Sequence, residues 1–320
     1  MVIPQNSSDR YAKLADIAEW YYIDGLNQSE IARRIGVDRS MVSRMLTEAR
    51  KQNIVEIRIH RPLSSDRELG RGLERRFNLH KAYVLVNSGG DYAQLLRQLG
   101  VAGATVLKGF VKPGIVLGLS WGTAVSAVVD AFEQTRPVSI RIVQLVGALG
   151  AQNSVYDGPG LVQRLAQTMG CEGYFLNAPF IVEDPNIAQA LLNNQNVAEA
   201  ISLAKNCDVA VVGVGSTEPE YSSFYQAGYV SLADLNRLRS FGMVGDVCGR
   251  HFNLDGGSAD LDFHTRIITI TEQHLKNIPW RVAIAGGIGK VEAILGALRA
   301  GFINVLVTDD EVAKRLLEME

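Results

Sequence analysis

The stretch that decides the N-terminal fold is residues 28–47, QSEIARRIGVDRSMVSRMLT. Apolar residues recur at helical spacing in both halves of this stretch, which predicts two helices that each have one apolar face. Between them stands Gly36, and glycine readily takes the left-handed conformation that a tight turn between helices requires. Asp38 occupies the N-cap position of the second helix. The stretch therefore predicts a helix-turn-helix, and its inward positions are Ile31, Ala32, Ile35, Val42, Met45 and Leu46.

The outward face of the second predicted helix carries hydrogen-bond donors. In a helix-turn-helix this helix enters the major groove of DNA, where such donors reach base edges and phosphates. A small helical hairpin with a basic outer face is the alternative that spacing alone leaves open. The predicted DNA contacts are Arg39, Ser40, Ser43, Arg44 and Thr47, with Tyr21 and Gln28 as phosphate contacts.

The residues that flank this motif favour DNA binding. A packing helix is predicted over 11–24, and residues 54–59 alternate between apolar and charged, as in a half-buried strand. Helix, helix-turn-helix and short strand is the order of a winged DNA-binding domain. Residues 1–61 carry 10 Lys and Arg against 8 Asp and Glu, and the remainder carries 22 against 26. This weak asymmetry, +2 against −4, also favours a DNA-binding domain at residues 1–61.

Composition is that of an ordinary globular protein of 320 residues, with 47% hydrophobic residues, a net charge of −2 and room for two domains. Three separated cysteines (Cys171, Cys207 and Cys248) form no CxxC pair, which argues against a disulfide framework. Neither a signal peptide nor a membrane span is predicted. We therefore expect a cytoplasmic location and no membrane partner. The histidines lack metal-ligand spacing, so we expect no metal and no cofactor.

Residues 62–78 predict a charged linker helix with a narrow apolar stripe formed by Leu69, Leu73 and Phe77. Such a stripe suits a linker or pairing with a second copy of the chain. We favour pairing, because helix-turn-helix proteins usually need two half-sites.

From residue 79 to 320, short apolar strands alternate with helices, which predicts a mainly parallel α/β sheet covered on both faces. The predicted strands are residues 82–86, 115–119, 140–146, 208–214, 267–271, 281–285 and 305–308.

Four stretches follow strands at places where α/β proteins bind ligands, residues 118–123, 147–150, 213–216 and 286–290. The Ser120 and Thr123 hydroxyls and nearby amides can cradle a phosphate, or can simply cap a helix. Lys290 at a helix start can give a phosphate a full charge, which is a more specific signal. Asp246 lies among apolar residues and suits either sugar hydroxyls or a structural cap.

These motifs, in this order, resemble the SorC family of bacterial transcriptional regulators along nearly the whole chain. The resemblance implies a sensor domain similar to sugar-phosphate isomerases and CoA-transferases, a phosphorylated sugar or sugar alcohol as effector, and operator DNA of a carbohydrate catabolic operon. It also implies a homo-oligomer, usually a tetramer and often a dimer of dimers. The stretches that carry it are residues 24–32, 118–122, 209–215, 282–290 and 301–309.

The resemblance assigns roles to individual residues. Lys290 is expected near the phosphate and Asp246 near the sugar end. Some relatives have Lys or Arg where this chain has Val146, so a Schiff base or a second phosphate is disfavoured, and a single phosphate or a neutral polyol fits better. The phosphate is expected at Ser120, Trp121, Gly122 and Thr123, and the pocket wall at Gly147 and Ala148.

A sugar-phosphate isomerase with an accessory helix-turn-helix is the alternative from a different class of function. Isomerisation needs a base beside the substrate carbon, and Asp246 is the only candidate within a motif. No histidine is paired with it in the sequence, so we expect no enzyme. Whether the protein represses or activates, and which sugar it senses, stay open.

Overall fold

The computed structural model describes residues 5–55, 64–86, 89–133, 137–150, 156–259 and 261–319. The chain divides into two compact units, Met1–Pro62 and Leu63–Glu320. No helix in the described ranges is long and apolar enough to cross a membrane.

The described part of the first unit, residues 5–55, contains three helices, α1 Gln5–Tyr22, α2 Gln28–Ile35 and α3 Arg39–Lys51. The Asn27 side chain accepts from the first amides of α2, while Glu30 accepts from the Asn27 amide, and this capping box fixes where α2 begins. Gly36 has a φ of 71° and ends α2, as the turn requires. The predicted helix-turn-helix is confirmed, and Ile17, Ile31, Ala32, Val42 and Leu46 form its buried core.

The predicted strand at 54–59 falls largely outside the described residues, which resume at 64. Its first two residues, Ile54 and Val55, follow α3 closely and are not in a strand. Both of their amides donate to the carbonyl of Ala49 within α3. The wing therefore stays a prediction.

The second unit alternates strands and helices. Its first half contains α4 Arg67–Phe77, β1 Lys81–Leu85, α5 Tyr92–Lys108, β2 Val116–Leu119, α6 Thr123–Ala131, β3 Arg141–Gln144, α7 Gly158–Met169, β4 Glu172–Tyr174, α8 Pro185–Leu192 and α9 Gln195–Lys205. Its second half contains β5 Val209–Gly213, β6 Gly215–Ser216, α10 Ser223–Gln226, α11 Leu232–Ser240, β7 Met243–Val247, β8 Arg250–Asn253, α12 Asp262–Thr265, α13 Glu272–Asn277, β9 Trp280–Ile284, a 3₁₀ turn Ile288–Lys290, α14 Val291–Arg299, β10 Val305–Asp309 and α15 Asp310–Glu318.

Seven strands form one sheet in the order β1-β10-β9-β5-β2-β3-β4, and every pairing is parallel. The predicted parallel α/β fold is confirmed, with a buried apolar cluster on each face of the sheet. A small antiparallel sheet, β6-β7-β8, was not predicted. The strand predicted at 267–271 is wrong, since these residues make only isolated bridges to Val146 and Ile181.

Helix α4 belongs to the α/β unit. It packs on β1 and α15, with Leu73 fully buried and Leu69 and Phe77 partly buried against the same core. An added Cβ at Gly70 would lie 2.8 Å from the Ala82 carbonyl oxygen, so the helix approaches β1 closely. The helix is therefore not a separate linker, because Leu73 packs in the core of the α/β unit. Pairing of the helix with a second copy stays a prediction, since Leu69 and Phe77 are only partly buried.

Candidate effector site and DNA-binding face

The sheet has a topological switch point between β2 and β5. From β2 the chain continues outward through β3 and β4, and from β5 it continues to the opposite side through β9 and β10. Ligands of open parallel sheets bind at such a point, outside the carboxyl ends of the strands. The Ser120 amide after β2 donates to the Val211 carbonyl of β5 at 3.0 Å. Two of the four predicted ligand stretches, 118–123 and 213–216, therefore meet here.

The loop between β2 and α6 has the form of an anion site, but part of it is engaged by the chain. Gly122 precedes α6 with a φ of 120°, a conformation that favours glycine. Its amide donates to the Tyr156 carbonyl at 3.1 Å. The buried Ser120 hydroxyl donates to the Trp121 carbonyl at 3.3 Å, while Thr123 is half-buried at the first position of α6. A phosphate that uses the Gly122 amide must displace Tyr156.

Trp121 joins the loop to an aromatic cluster. Its ring centroid is 4.9 Å from that of Phe224 and 6.3 Å from that of Phe180. The indole therefore packs against protein, and this contact fixes the position of the loop.

Gly147 and Ala148 pack against the chain. An added Cβ at Gly147 would lie 2.5 Å from the Pro179 carbonyl oxygen and 2.7 Å from the Phe180 Cα. The Gly147 amide donates to Ile268, and the Ala148 carbonyl accepts from the Phe180 amide. The close approach that Gly147 permits is thus made to the backbone of Pro179 and Phe180, and its place in the pocket wall stays a prediction. Ala148 is half-buried and remains a candidate.

Asp246 and Lys290 are two buried groups of opposite charge near the switch point, with 8% and 6% exposure. Asp246 lies in β7 opposite Gly215 of β6, and an added Cβ at Gly215 would collide with its Oδ1. Its Oδ2 accepts from the Gly249 amide at 3.0 Å. The Lys290 Nζ donates to the Val214 carbonyl at 2.9 Å. Lys290 is thus held by the segment that follows β5, and Asp246 lies beside Gly215 of the same segment.

Burial and mutual attraction set the pKa values of this pair. Burial raises the pKa of Asp246 to about 6, against the opposing effects of the Gly249 amide and of Lys290. Burial lowers the pKa of Lys290 to about 8, and Asp246 opposes this change. Both groups are therefore mainly charged near neutral pH. A hydroxyl group suits this pair, since it can donate to the carboxylate and accept from the ammonium group.

Two histidines to which the sequence assigns no role, His251 and His264, lie beside Asp246 in the structure. His251 is the strand partner of Asp246 in β8, and its Nδ1 lies 3.3 Å from the Nε2 of His264. Burial lowers the pKa of His251 to about 3, so it is neutral at pH 7. Recognition of the β7–β8 hairpin in the sequence would have placed His251 here. No group of three metal-ligating side chains occurs among the described residues.

Two further buried carboxylates were missed. Asp157, just before α7, accepts from the amides of Leu149 and Gly150 at 2.8 and 3.2 Å. Asp309, at the end of β10, accepts from the Gly287 amide at 2.7 Å and caps α15. For Asp309 the only signal in the sequence is an Asp at the end of an apolar strand. Because Asp309 already accepts from the Gly287 amide, the 286–290 loop has its lysine, and not that amide, available for a ligand.

A cavity of about 460 Å³ lies beside the Lys290 segment and contains none of the predicted effector residues. Its lining includes Ser216, Thr217, Arg239, Gly289 and Glu292. Arg239 there is paired with Glu218 at 2.9 Å. The charged residues of this cavity are largely exposed, whereas Asp246 and Lys290 at the switch point are buried, so the switch point is the stronger candidate for an effector site.

All five predicted base contacts are exposed on α3. The Ser40 hydroxyl donates to Asp38 at 2.6 Å and the Thr47 hydroxyl to the Ser43 carbonyl at 2.9 Å, so both meet DNA as acceptors unless they rotate. Tyr21 and Gln28 are half-buried. Two arginines were not predicted as contacts, the exposed Arg33 and Arg34 of α2, and the Arg34 guanidinium stacks 4.2 Å from the Trp20 ring centroid.

Comparisons with known proteins agree with this architecture. Residues 61–318 match the family model described as "Putative sugar-binding domain". The chain is 30% identical over 314 residues to the sorbitol operon regulator of Klebsiella pneumoniae, covering 98% of this chain and 99% of that protein. It is 31% identical over 318 residues to the transcriptional regulator LsrR of Escherichia coli O157:H7, covering 99% and 98%.

The fold agrees over the full length as well. The crystal structure of the full-length Klebsiella sorbitol operon regulator superposes with a TM-score of 0.73 at 29% identity, covering 97% of this chain and 100% of that one. A helix-turn-helix unit followed by a parallel α/β unit with a buried polar site defines the class of effector-controlled transcriptional regulators. This chain belongs to the SorC family of these regulators.

Proposed function

We propose that a sugar phosphate or polyol controls operator binding by this regulator, and that it binds at the switch point between β2 and β5. The observation that carries the proposal is the buried Asp246 and Lys290, which face the same segment at the carboxyl ends of the strands. Burying two charges without a direct ion pair costs free energy, so such an arrangement is expected where a ligand uses both.

The phosphate of the effector is assigned to the loop 120–123. Amides at the start of α6 and the Thr123 hydroxyl favour an anion, and Lys290 adds a full charge. The Ser120 hydroxyl, Trp121 amide and Gly122 amide complete this part of the site. Effector hydroxyls lie between Asp246 and Lys290, and Ala148 borders them.

The charges of this site suit an effector with no more than one phosphate group. Lys290 is the only buried Lys or Arg among the described residues, and Val146 offers no charge at the end of β3. A second phosphate would bring two further negative charges toward Asp246 without a buried cation to offset them.

Operator recognition is assigned to α3 through Arg39, Ser40, Ser43, Arg44 and Thr47, with Tyr21 and Gln28 on phosphates. Two half-sites require at least a dimer, and we propose a tetramer as in many regulators of this kind. The effector acts by favouring one arrangement of the protomers over another. The site of action is the cytoplasm, and the regulated genes belong to a carbohydrate catabolic operon, as the name of the sorbitol operon regulator suggests for that relative.

We infer that the site binds its effector without turnover. Catalysis of isomerisation needs a base that is free to take a proton from carbon. One Asp246 oxygen accepts from the Gly249 amide, the other lies beside Gly215, and the strand partner His251 is paired with His264. Release of product from a sugar phosphate by the purified protein would contradict this inference.

A direct test compares Lys290→Met with Lys112→Met. Lys112 is exposed in the loop that precedes β2, at the opposite edge of the sheet. Calorimetric titration with a panel of sugar phosphates and polyols should give saturable binding to the wild type. We expect Lys290→Met to weaken binding at least tenfold, as loss of a charge-assisted hydrogen bond does, and Lys112→Met to bind like the wild type. Equal affinity of all three proteins would overturn the assignment.

A further inference from the structure

The recognition helix carries one apolar side chain on its solvent side. Of the thirteen residues of α3, all of which the structure describes, Met41 is the only apolar one that is exposed, at 43%. Val42, Leu46 and Ala49 face the core and are buried. Met45 is partly buried against the same core. Exposure of Met41 therefore follows from its position on the helix and not from loose packing.

Met41 is held at the end of α3 that enters the groove. It is the third residue of the helix, and its amide donates to the Asp38 carboxylate at 2.8 Å. This N-cap fixes the first turn, so the side chain leaves the helix at a defined point. In helix-turn-helix proteins the first residues of the recognition helix contact base edges.

The exposed residues around Met41 are polar, so Met41 can make an apolar contact with DNA between polar ones. Arg39 and Arg44 are exposed on either side and can reach guanine edges or phosphates. The Ser40 hydroxyl is committed to Asp38 at 2.6 Å. Met41 therefore offers the only apolar surface that this end of the helix presents to the groove.

The C5-methyl of thymine is the only apolar group that bases present in the major groove. A flexible, polarisable thioether adapts well to such a methyl group. We propose that Met41 contacts a thymine methyl in each half-site and thereby determines specificity for an A·T pair at that position. This inference rests on the proposed operator binding by α3.

The test uses duplexes that the full-length protein selects from a random pool, with and without the sugar-phosphate panel. Each thymine of a selected half-site is replaced singly by deoxyuridine, which lacks only the methyl group. One replacement per half-site should weaken wild-type binding about fourfold, the value of one buried methyl-sized group. Met41→Ala should bind the thymine and deoxyuridine duplexes equally, and Met41→Leu should retain the preference for thymine.

The outcomes separate this inference from the proposal on which it rests. If the wild type selects a duplex but is indifferent to every deoxyuridine replacement, or if Met41→Ala keeps the same preference, the contact is wrong while operator binding stands. If no duplex is selected under any condition, both are wrong. Unchanged thermal unfolding of Met41→Ala is expected, because the side chain lies outside the core, and it makes loss of folding distinguishable from loss of contact.

Discussion

At the scale of single residues, the proposed effector site consists of groups whose position the fold determines. The buried ammonium group of Lys290 donates to the Val214 carbonyl, and the buried carboxylate of Asp246 lies beside Gly215. Each is buried at a cost that the other offsets through space. The titration of the two side chains should therefore be visible in effector affinity.

We predict a bell-shaped pH dependence of effector affinity. Below a pH of about 6 Asp246 takes a proton and no longer accepts as a carboxylate, and above about 8 Lys290 loses its charge. Affinity should thus fall on both sides of neutrality, with limbs that belong to the coupled pair. Calorimetric titration between pH 5 and 9 with a neutral polyol avoids titration of the ligand. Asp246→Asn should lose the acid limb and retain the alkaline one; an unchanged acid limb would mean that another group titrates.

For single residues, the sequence indicates which side chains carry suitable charge, but it does not indicate their burial or their contacts. Lys290 and Asp246 were selected as strand-end charges, but their burial depends on β6 and β7, which pair residues thirty positions apart. The sequence predicts that a ligand approaches the backbone at Gly147, whereas in the structure the backbone of Pro179 lies close to it. The Gly122 amide is engaged by Tyr156, a contact that local spacing does not reveal.

At the scale of elements, local signals succeeded where one element determines its own pattern. The helix-turn-helix was predictable because caps, turn glycine and apolar spacing all lie within twenty residues. The small sheet was missed because β6 has only two residues and β7 carries Gly245 and Asp246 within an apolar strand. The apolar 267–271 segment resembled a strand, yet it only bridges two distant loops.

Helix α4 gives the prediction at this scale. Leu73 is fully buried against the core of the α/β unit, so Leu73→Ala should lower the free energy of unfolding by roughly 2–5 kcal/mol. Denaturant unfolding of the full chain measures this change. Arg75 is exposed on the same helix, so Arg75→Ala serves as the control and should change the free energy of unfolding little. If Leu73→Ala instead left stability unchanged and dissociated the oligomer, the helix would be a pairing surface after all.

At the scale of the whole molecule, the fold joins a DNA-facing unit to a sensor in the order that its relatives share. The sequence predicted this order because parallel α/β sheets produce regular alternation of strands and helices over long stretches. It also allowed recognition of the family, since the ligand loops and the helix-turn-helix motif occur together. The identity of the effector depends on the shape of the whole site, to which at least four separate segments contribute, and no local pattern encodes it.

Control of operator binding by one small carbohydrate at the switch-point site can be measured on DNA directly. The affinity of the full-length wild type for its upstream DNA is measured by fluorescence anisotropy, with and without each compound of the panel, beside Lys290→Met. We expect one single-phosphate sugar or polyol to shift the affinity of the wild type, and Lys290→Met to bind the same DNA without responding. An equal shift in both proteins, or DNA binding that no compound alters, would contradict it.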